Sequence, residues 1–194
     1  PLQHIAVHLG QPSAATLAAI ERQAQSDQPT NPPGLLHRQT PSGYSREEWS
    51  CPLPGGFEAA VTALRSWAGH RHAGIRIDPL PPIEVDQTMV LVFPLGPLTL
   101  TAANRIIEVI DEPDRYGFTY ATLPHHPEDG EESFIIERTN DGAIRFTIAA
   151  VSRPASLASR LNRPVARYLQ SRTARRYLAG VTDAVAASTM ADTP

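Results

Sequence analysis

The spacing of apolar residues along the chain changes from helical to alternating and back to helical. Apolar positions recur at i, i+3, i+4 and i+7 over 57–67, which predicts an amphipathic helix there. A second stripe of this kind predicts one long helix from Pro164 to about Ala187, with the proline in its first turn. Between these helices the period is two, which is typical of half-buried strands.

The alternating region predicts a series of strands joined by short turns. A first strand is expected at 44–51, and six more follow the first of the two helices, at 70–77, 83–93, 98–111, 115–123, 131–139 and 143–152. The sequence 140–142 (Asn-Asp-Gly) is typical of a type I′ hairpin turn, because these residues tolerate positive φ. Consecutive strands with short connections pair antiparallel.

The pattern divides the chain into an N-terminal arm, a main domain and a tail. The arm, residues 1–43, contains a short strand at 4–9, a helix of about a dozen residues capped by Ser13, and a proline-rich loop. Residues 44–187 form the single antiparallel β plus helix domain. The tail, residues 188–194, is expected to fray.

These elements predict an α+β protein with a strongly curved antiparallel sheet. The long C-terminal helix supplies the cover that the apolar face of the sheet requires. This is a helix-grip-like arrangement, which encloses a central cavity between sheet and helix. A more closed β-barrel-like sheet is the alternative, and the pattern does not separate the two.

Composition excludes several classes of chemistry. All 17 basic residues are arginine, so mechanisms that need a phosphate-binding or Schiff-base lysine are excluded. One cysteine, Cys51, excludes an internal disulfide and a multi-thiolate metal site. A net charge of −3 argues against nucleic-acid binding, and no apolar run is long enough to span a membrane. We therefore expect a cytoplasmic monomer or homodimer.

Alternation assigns neighbouring carboxylates to opposite faces of one strand. Glu132 shares a face with Phe134, whereas Glu131 lies on the other face and is expected to be solvated. On the neighbouring strand, Tyr120 points into the same cavity. Desolvation raises the pKa of a carboxylate, which suits general acid/base work. Tyr120 and Glu132 are the predicted acid/base pair, with His126 as proton relay or orienter; a purely structural role for Glu132 remains an alternative.

The predicted function is that of a cofactor-free enzyme that acts by general acid/base catalysis on a hydrophobic, polyketide-like small molecule. Cyclisation, acetal formation and dehydration need only a positioned acid, a base and an enclosing pocket. The alternative is a non-catalytic binding protein for an apolar metabolite or lipid. The other residues expected to contact the substrate are Trp67, Arg105, Phe118, Thr122, His125, Phe134, Phe146 and Ser152.

No metal site and no cofactor are expected. His125 and His126 are adjacent in a turn, where two side chains rarely reach one ion. His70 and His72 would share one face of the predicted strand 70–77, but they offer only two ligands.

The segment 116–132, YGFTYATLPHHPEDGEE, resembles the bacterial and plant family known as domain of unknown function 1990 (DUF1990). FEAAVTALRSW at 57–67, NRIIEVIDEPDRYGF at 104–118, SRP at 152–154 and PVARYLQ at 164–170 extend the resemblance. It runs from about residue 8 to 187 and indicates a divergent, actinobacterial-type member. Ala121 and His125 stand where the family has glycine, and the usual Gly-x-Gly before the first helix is missing. These departures suggest a specialised pocket, and the resemblance itself implies no established reaction.

Overall fold

The computed structural model describes residues 6–124, 126–155 and 163–191 of the chain. The strands are β1 (Ala6–Leu9), β2 (Ser45–Leu53), β3 (Arg76–Asp78), β4 (Thr88–Leu95), β5 (Leu98–Glu112), β6 (Arg115–Thr122), β7 (Glu128–Arg138) and β8 (Ile144–Pro154). The helices are α1 (Ala14–Ser26), α2 (Phe57–Arg65), α3 (Ala68–His72) and α4 (Arg163–Ala191), with a short 3-10 helix at Leu35–His37.

The strands form one antiparallel sheet in which the first and last strands of the main domain are neighbours. The order is β2-β8-β7-β6-β5-β4-β3, and β1 pairs with β5. The first strand of the main domain, β2, thus pairs with the last, β8, along its whole length. This curved antiparallel sheet with its C-terminal helix confirms the predicted α+β class. Because β2 and β3 stand at opposite ends of the order, the sheet is open along this path.

One face of the sheet, called here the helix face, is covered by α2, α3 and α4. Alternation along β6, β7 and β8 directs Phe118, Phe134 and Phe146 to this face, where at most 1% of each residue is exposed. Trp67, between α2 and α3, packs into the same core. Burying each of these aromatic side chains contributes roughly 1.5–3 kcal/mol to the stability of the fold. The largest cluster of buried apolar residues lies on this face.

The opposite face, called here the arm face, is covered by the N-terminal arm. Leu17 of α1 packs against Val90 and Val92 of β4. Further along the arm, Leu35 and its neighbour in the 3-10 helix pack against Val151 of β8. Apolar side chains are therefore covered on both faces of the sheet.

The region after α2 differs from the predicted strand 70–77. Trp67 adopts a left-handed backbone conformation with φ 58°, which ends α2 and begins the separate helix α3. Strand structure begins only at Arg76. His70 and His72 therefore lie on a helix, and the expectation that they share a strand face is wrong.

The hairpin between β7 and β8 has a different turn from the predicted type I′. Gly142 has a φ of 84°, while Asn140 and Asp141 keep negative φ values. The Gly142 amide donates to the Thr139 carbonyl over 2.8 Å, and the Thr139 amide donates to the Ala143 carbonyl over 2.8 Å. A three-residue loop with its glycine in the left-handed region joins the strands, since type I′ would require positive φ at two central residues.

Within the described part of the chain, no helix has both the length and the apolarity needed to cross a membrane.

Candidate functional site

A row of paired residues carries polar side chains across the helix face. Glu47 of β2 lies opposite Ala150 of β8, Ala150 lies opposite Glu132 of β7, and Glu132 lies opposite Tyr120 of β6. Directly paired residues of antiparallel strands place their side chains on the same face, about 4.5–5.5 Å apart at Cβ. Ala150 separates the two carboxylates in this row. The predicted partners Tyr120 and Glu132 are thus neighbours.

Glu132 and Tyr120 are joined by a direct hydrogen bond. The Tyr120 hydroxyl donates to Oε2 of Glu132. Burial raises the pKa of Glu132 to about 7; the hydrogen bond from Tyr120 works against this shift, and the charge of Glu128 adds to it. Glu132 nevertheless retains some accessible surface. A carboxyl group with this pKa exchanges protons near neutral pH, as a general acid or base must.

A second tyrosine, Tyr177, connects the pair of Glu132 and Tyr120 to α4. Tyr177 projects from α4 and is 2% exposed. Burial raises the pKa of both Tyr120 and Tyr177 well above the usual value, and the charge of Glu132 adds to both shifts. The two phenols are also near enough for each to affect the pKa of the other. Both phenols therefore stay protonated and act as hydrogen-bond donors at neutral pH.

Aromatic rings surround this polar set. The His70 ring of α3 lies 4.4 Å from the Tyr177 ring and 5.2 Å from the Phe134 ring, measured between centroids. Phe118 stacks on Phe134 at 5.1 Å, and Trp67 lies 5.0 Å from Phe118. These separations are typical of favourable aromatic pairs. The pair of Glu132 and Tyr120 therefore has an aromatic boundary on its α3 and α4 side.

A second polar group lies beside the first, near the start of β7. Ser152 donates to Glu128 over 2.6 Å, and the Glu128 amide donates to Nδ1 of His126 over 3.0 Å. Burial raises the pKa of Glu128, and the charge of Glu47 adds to the shift. Burial lowers the pKa of His126 to about 4. His126 is therefore neutral, and it holds the backbone that carries Glu128.

The structure brings some of the predicted substrate-contacting residues together and separates others. Those on the helix face are Trp67, Phe118, Phe134, Phe146 and Ser152. Arg105 instead donates to the carbonyls of Ala24 and Gln25, at the end of α1. The Thr122 hydroxyl lies 2.6 Å from that of Thr30, in the arm. His125 lies outside the described residues.

Glu131 is not solvated as expected. Only 3% of the residue is exposed. Its carboxylate accepts the amide of Gly34 over 2.7 Å and the amide of Leu36 over 3.1 Å. Alternation correctly separates Glu131 from Glu132, but the arm covers the face on which Glu131 lies.

Sequence reasoning missed two residues of the site, His70 and Tyr177. The alternating pattern predicts a strand over 70–77, so it gives no indication that His70 belongs to the aromatic boundary. Tyr177 lies in the apolar stripe of the C-terminal helix, which predicts that it faces the sheet but not that it meets Tyr120. Among the described residues, no group of three or more His, Cys, Asp or Glu side chains is arranged to hold a metal ion.

Comparison with protein families finds a match over residues 30–180 to the model described as "Domain of unknown function (DUF1990)". A UPF0548 protein of Deinococcus radiodurans is 47% identical over 74 residues, which cover 38% of this chain and 37% of that protein. A UPF0548 protein of Dictyostelium discoideum is 30% identical over 132 residues, which cover 60% of each chain. The chain thus matches less than two thirds of the length of these relatives.

Comparison with solved structures finds a similar fold at very low sequence identity. A norcoclaurine synthase point mutant from Thalictrum, in complex with a transition state analogue, superposes with a TM-score of 0.56 at 8% identity. The match covers 78% of this chain and 99% of the synthase. At this identity the likeness establishes the fold, which is of the helix-grip type.

Proposed function

Because the chain belongs to the DUF1990 family, whose model carries no assigned reaction, we propose a function from its own site. The protein is a cofactor-independent enzyme that binds a hydrophobic, polyketide-like small molecule at the helix face, beside Glu132 and Tyr120. It moves protons on that molecule by general acid/base catalysis.

One observation carries the proposal: a buried carboxyl–phenol pair bounded by aromatic rings. The pKa of Glu132 is raised to about 7, and its partner Tyr120 remains a protonated donor. Perturbed groups of this kind concentrate at functional sites, because chemistry near pH 7 requires groups that titrate there. A carboxylate needed only for stability would be better served by several strong donors, as Glu131 is.

The two groups can divide one proton transfer between them. Ionised Glu132 takes a proton from a hydroxyl or an α-carbon of the substrate, while Tyr120 gives its hydroxyl proton to a developing oxyanion. The proton on Glu132 then passes along their hydrogen bond and restores the tyrosine. Cyclisation, acetal formation and dehydration all consist of such paired transfers. His126 acts as an orienter, since it fixes the backbone at Glu128 rather than touching the pair.

The surrounding residues favour an apolar, conjugated substrate. Trp67, Phe118 and Phe134 form a buried aromatic cluster beside the pair, so a substrate that reaches Glu132 and Tyr120 meets apolar, aromatic surroundings. The Thalictrum synthase that shares this fold was solved with a transition state analogue, so the fold is compatible with catalysis on a small molecule.

A passive binding protein for an apolar metabolite or lipid is the second candidate. The same aromatic boundary favours it, because stacking and burial alone hold an apolar molecule. The two candidates differ in what the pair of Glu132 and Tyr120 does to a bound molecule.

The test compares turnover and affinity in matched variants. The wild-type protein is given a panel of aromatic poly-β-ketones and hydroxyketones, with cyclisation or loss of water followed by mass spectrometry. Glu132→Gln and Tyr120→Phe are expected to lower kcat about 10²–10⁴-fold while Kd changes less than about threefold. Glu137→Gln, on the arm-face side of the same strand, is the control and should retain full turnover.

Two results would contradict the proposal that the protein is an enzyme. Equal turnover in Glu132→Gln and wild type would remove Glu132 from the reaction. Tight binding of panel members by the wild type, with no chemical change in any of them, would favour the passive binding protein instead.

A further inference from the structure

The imidazole of His70 is buried without a polar partner. The residue is 2% exposed, and its Nε2 atom meets no hydrogen-bond donor or acceptor in the described part of the chain. Buried polar atoms in native proteins are almost always paired, and an exception calls for an explanation. A molecule that binds at the site and supplies the missing partner is such an explanation.

The position of His70 places it beside the proposed acid/base pair. Its ring lies 4.4 Å from Tyr177 and 6.5 Å from Tyr120. His70 and Tyr120 also flank one ring, Phe134, at 5.2 and 5.5 Å. The imidazole of His70 and the phenol ring of Tyr120 therefore border the same buried ring, so a molecule that inserts into this packing beside Tyr120 can meet both.

The backbone around His70 fixes this position. A side chain on the preceding residue, Gly69, would lie 3.0 Å from the Tyr177 carbonyl oxygen, so α3 packs directly against the backbone of α4. A Cβ at Gly180 would lie even closer, 2.4 Å from the His72 Cβ. Since neither helix can shift without losing these contacts, His70 is held in place before any ligand arrives, which lowers the cost of binding.

We propose that Nε2 of His70 donates a hydrogen bond to a carbonyl oxygen of the bound molecule, and that the site thereby selects aromatic or conjugated ketones over hydrocarbons of the same shape. The imidazole is neutral, because burial lowers the pKa of His70 to about 3. A neutral imidazole donates from one nitrogen, and a carbonyl oxygen accepts without bringing a charge into the apolar surroundings. This inference rests on the proposed function, since it names the substrate group that the same site recognises.

The test uses two probes that differ in one carbonyl group, 2-acetylnaphthalene and 2-ethylnaphthalene. Their Kd values are measured by fluorescence titration for the wild type, His70→Phe, His70→Gln and the control His72→Phe, which makes the same change two residues along α3. The wild type and the control should prefer the ketone about tenfold, the worth of one net hydrogen bond. His70→Phe should bind both probes about equally, and His70→Gln should recover part of the preference.

A measurement on the wild type alone guards against variants that fold poorly. The 15N resonance of the His70 Nε2 atom should shift when the ketone binds and stay unchanged when the hydrocarbon binds. An unchanged resonance with bound ketone, or an undiminished preference in folded His70→Phe, overturns the role of His70 and leaves the proposed function standing. Failure of the wild type to bind either probe overturns both proposals.

Discussion

At the residue scale, two consecutive glutamates show how partners decide what a carboxylate can do. Glu131 accepts hydrogen bonds from two backbone amides of the arm, and these bonds tie the arm to β7. Glu132 receives one phenol from Tyr120, which does not compensate for its burial, and its pKa rises to about 7. The first residue therefore anchors the arm, while the second is free to exchange a proton.

The raised pKa of Glu132 makes the stability of the protein depend on pH. Unfolding returns the group to a pKa near 4.5, so the unfolded chain releases a proton that the folded chain keeps until about pH 7. The free energy of unfolding thus falls between pH 4.5 and 7, by at most about 3 kcal/mol. Relative to wild type, Glu132→Gln is expected to become more stable over this interval, as measured by urea denaturation at pH 5 and pH 8.

Comparing the variant with the wild type isolates Glu132 from other titrating groups. Burial lowers the pKa of His70 and of His126, so these two act in the opposite direction and reduce stability as the pH falls below about 6.5. Their contribution is common to both proteins and cancels. A stability difference that is constant from pH 5 to pH 8 would show that Glu132 titrates normally.

At the scale of elements, the packing of α3 against α4 fixes the far side of the site. A Cβ at Gly180 would lie 2.4 Å from the His72 Cβ and 2.9 Å from the Ala68 carbonyl oxygen. Gly180→Ala must therefore push the two helices apart, at a cost of about 1–3 kcal/mol. We expect a lower Tm by thermal denaturation and a changed near-ultraviolet circular dichroism spectrum, since Trp67 and Tyr177 flank this contact.

The matched control for this substitution is Gly56→Ala, directly before α2. No atom lies within 4 Å of a Cβ built there, and the backbone does not require positive φ. It should lower the Tm less than Gly180→Ala does, because alanine meets no obstacle there and loses only the preference for glycine at the N-cap of α2. Equal effects of the two substitutions would mean that α3 and α4 tolerate separation.

Local pattern predicts the strand pair at the centre of the site but not the helix opposite it. Alternation is a property of each strand alone, so it places Tyr120 and Glu132 on one face without knowledge of the rest. The end of α2 at Trp67, by contrast, goes together with the packing of α3 against α4. The residue of α4 that α3 contacts, Tyr177, is over a hundred residues further along the chain than Trp67. Burial of Glu131 likewise depends on Gly34, which is 97 residues away. Contacts of such range leave no periodic signal in the sequence.

At the scale of the whole molecule, the sheet depends on covers from both ends of the chain. The C-terminal helix covers the helix face, and the N-terminal arm covers the arm face. Asp129 accepts hydrogen bonds from Thr30, Asn31 and Tyr44, and Arg153 forms an ion pair with it over 2.7 Å. Alternate residues of β7 thus serve the two faces: Asp129 and Glu131 hold the arm, and the intervening positions carry the site.

Removing the arm therefore tests whether residues 44–194 form an independent domain. Without residues 1–43, the carboxylate of Glu131 loses its two amide donors, that of Asp129 loses two of its donors, and the apolar side chains of β4 are exposed. Each unpartnered buried group costs about 1–3 kcal/mol, and more when it is charged, against a typical stability of about 5–15 kcal/mol. We expect the shortened chain to lose its cooperative thermal transition, as measured by circular dichroism, and to bind a hydrophobic dye.

A synthetic peptide of residues 6–43, added in trans, should restore the transition because the arm acts through non-covalent contacts. A shortened chain that unfolds cooperatively within about 1 kcal/mol of the full chain would show instead that the sheet needs cover on the helix face alone.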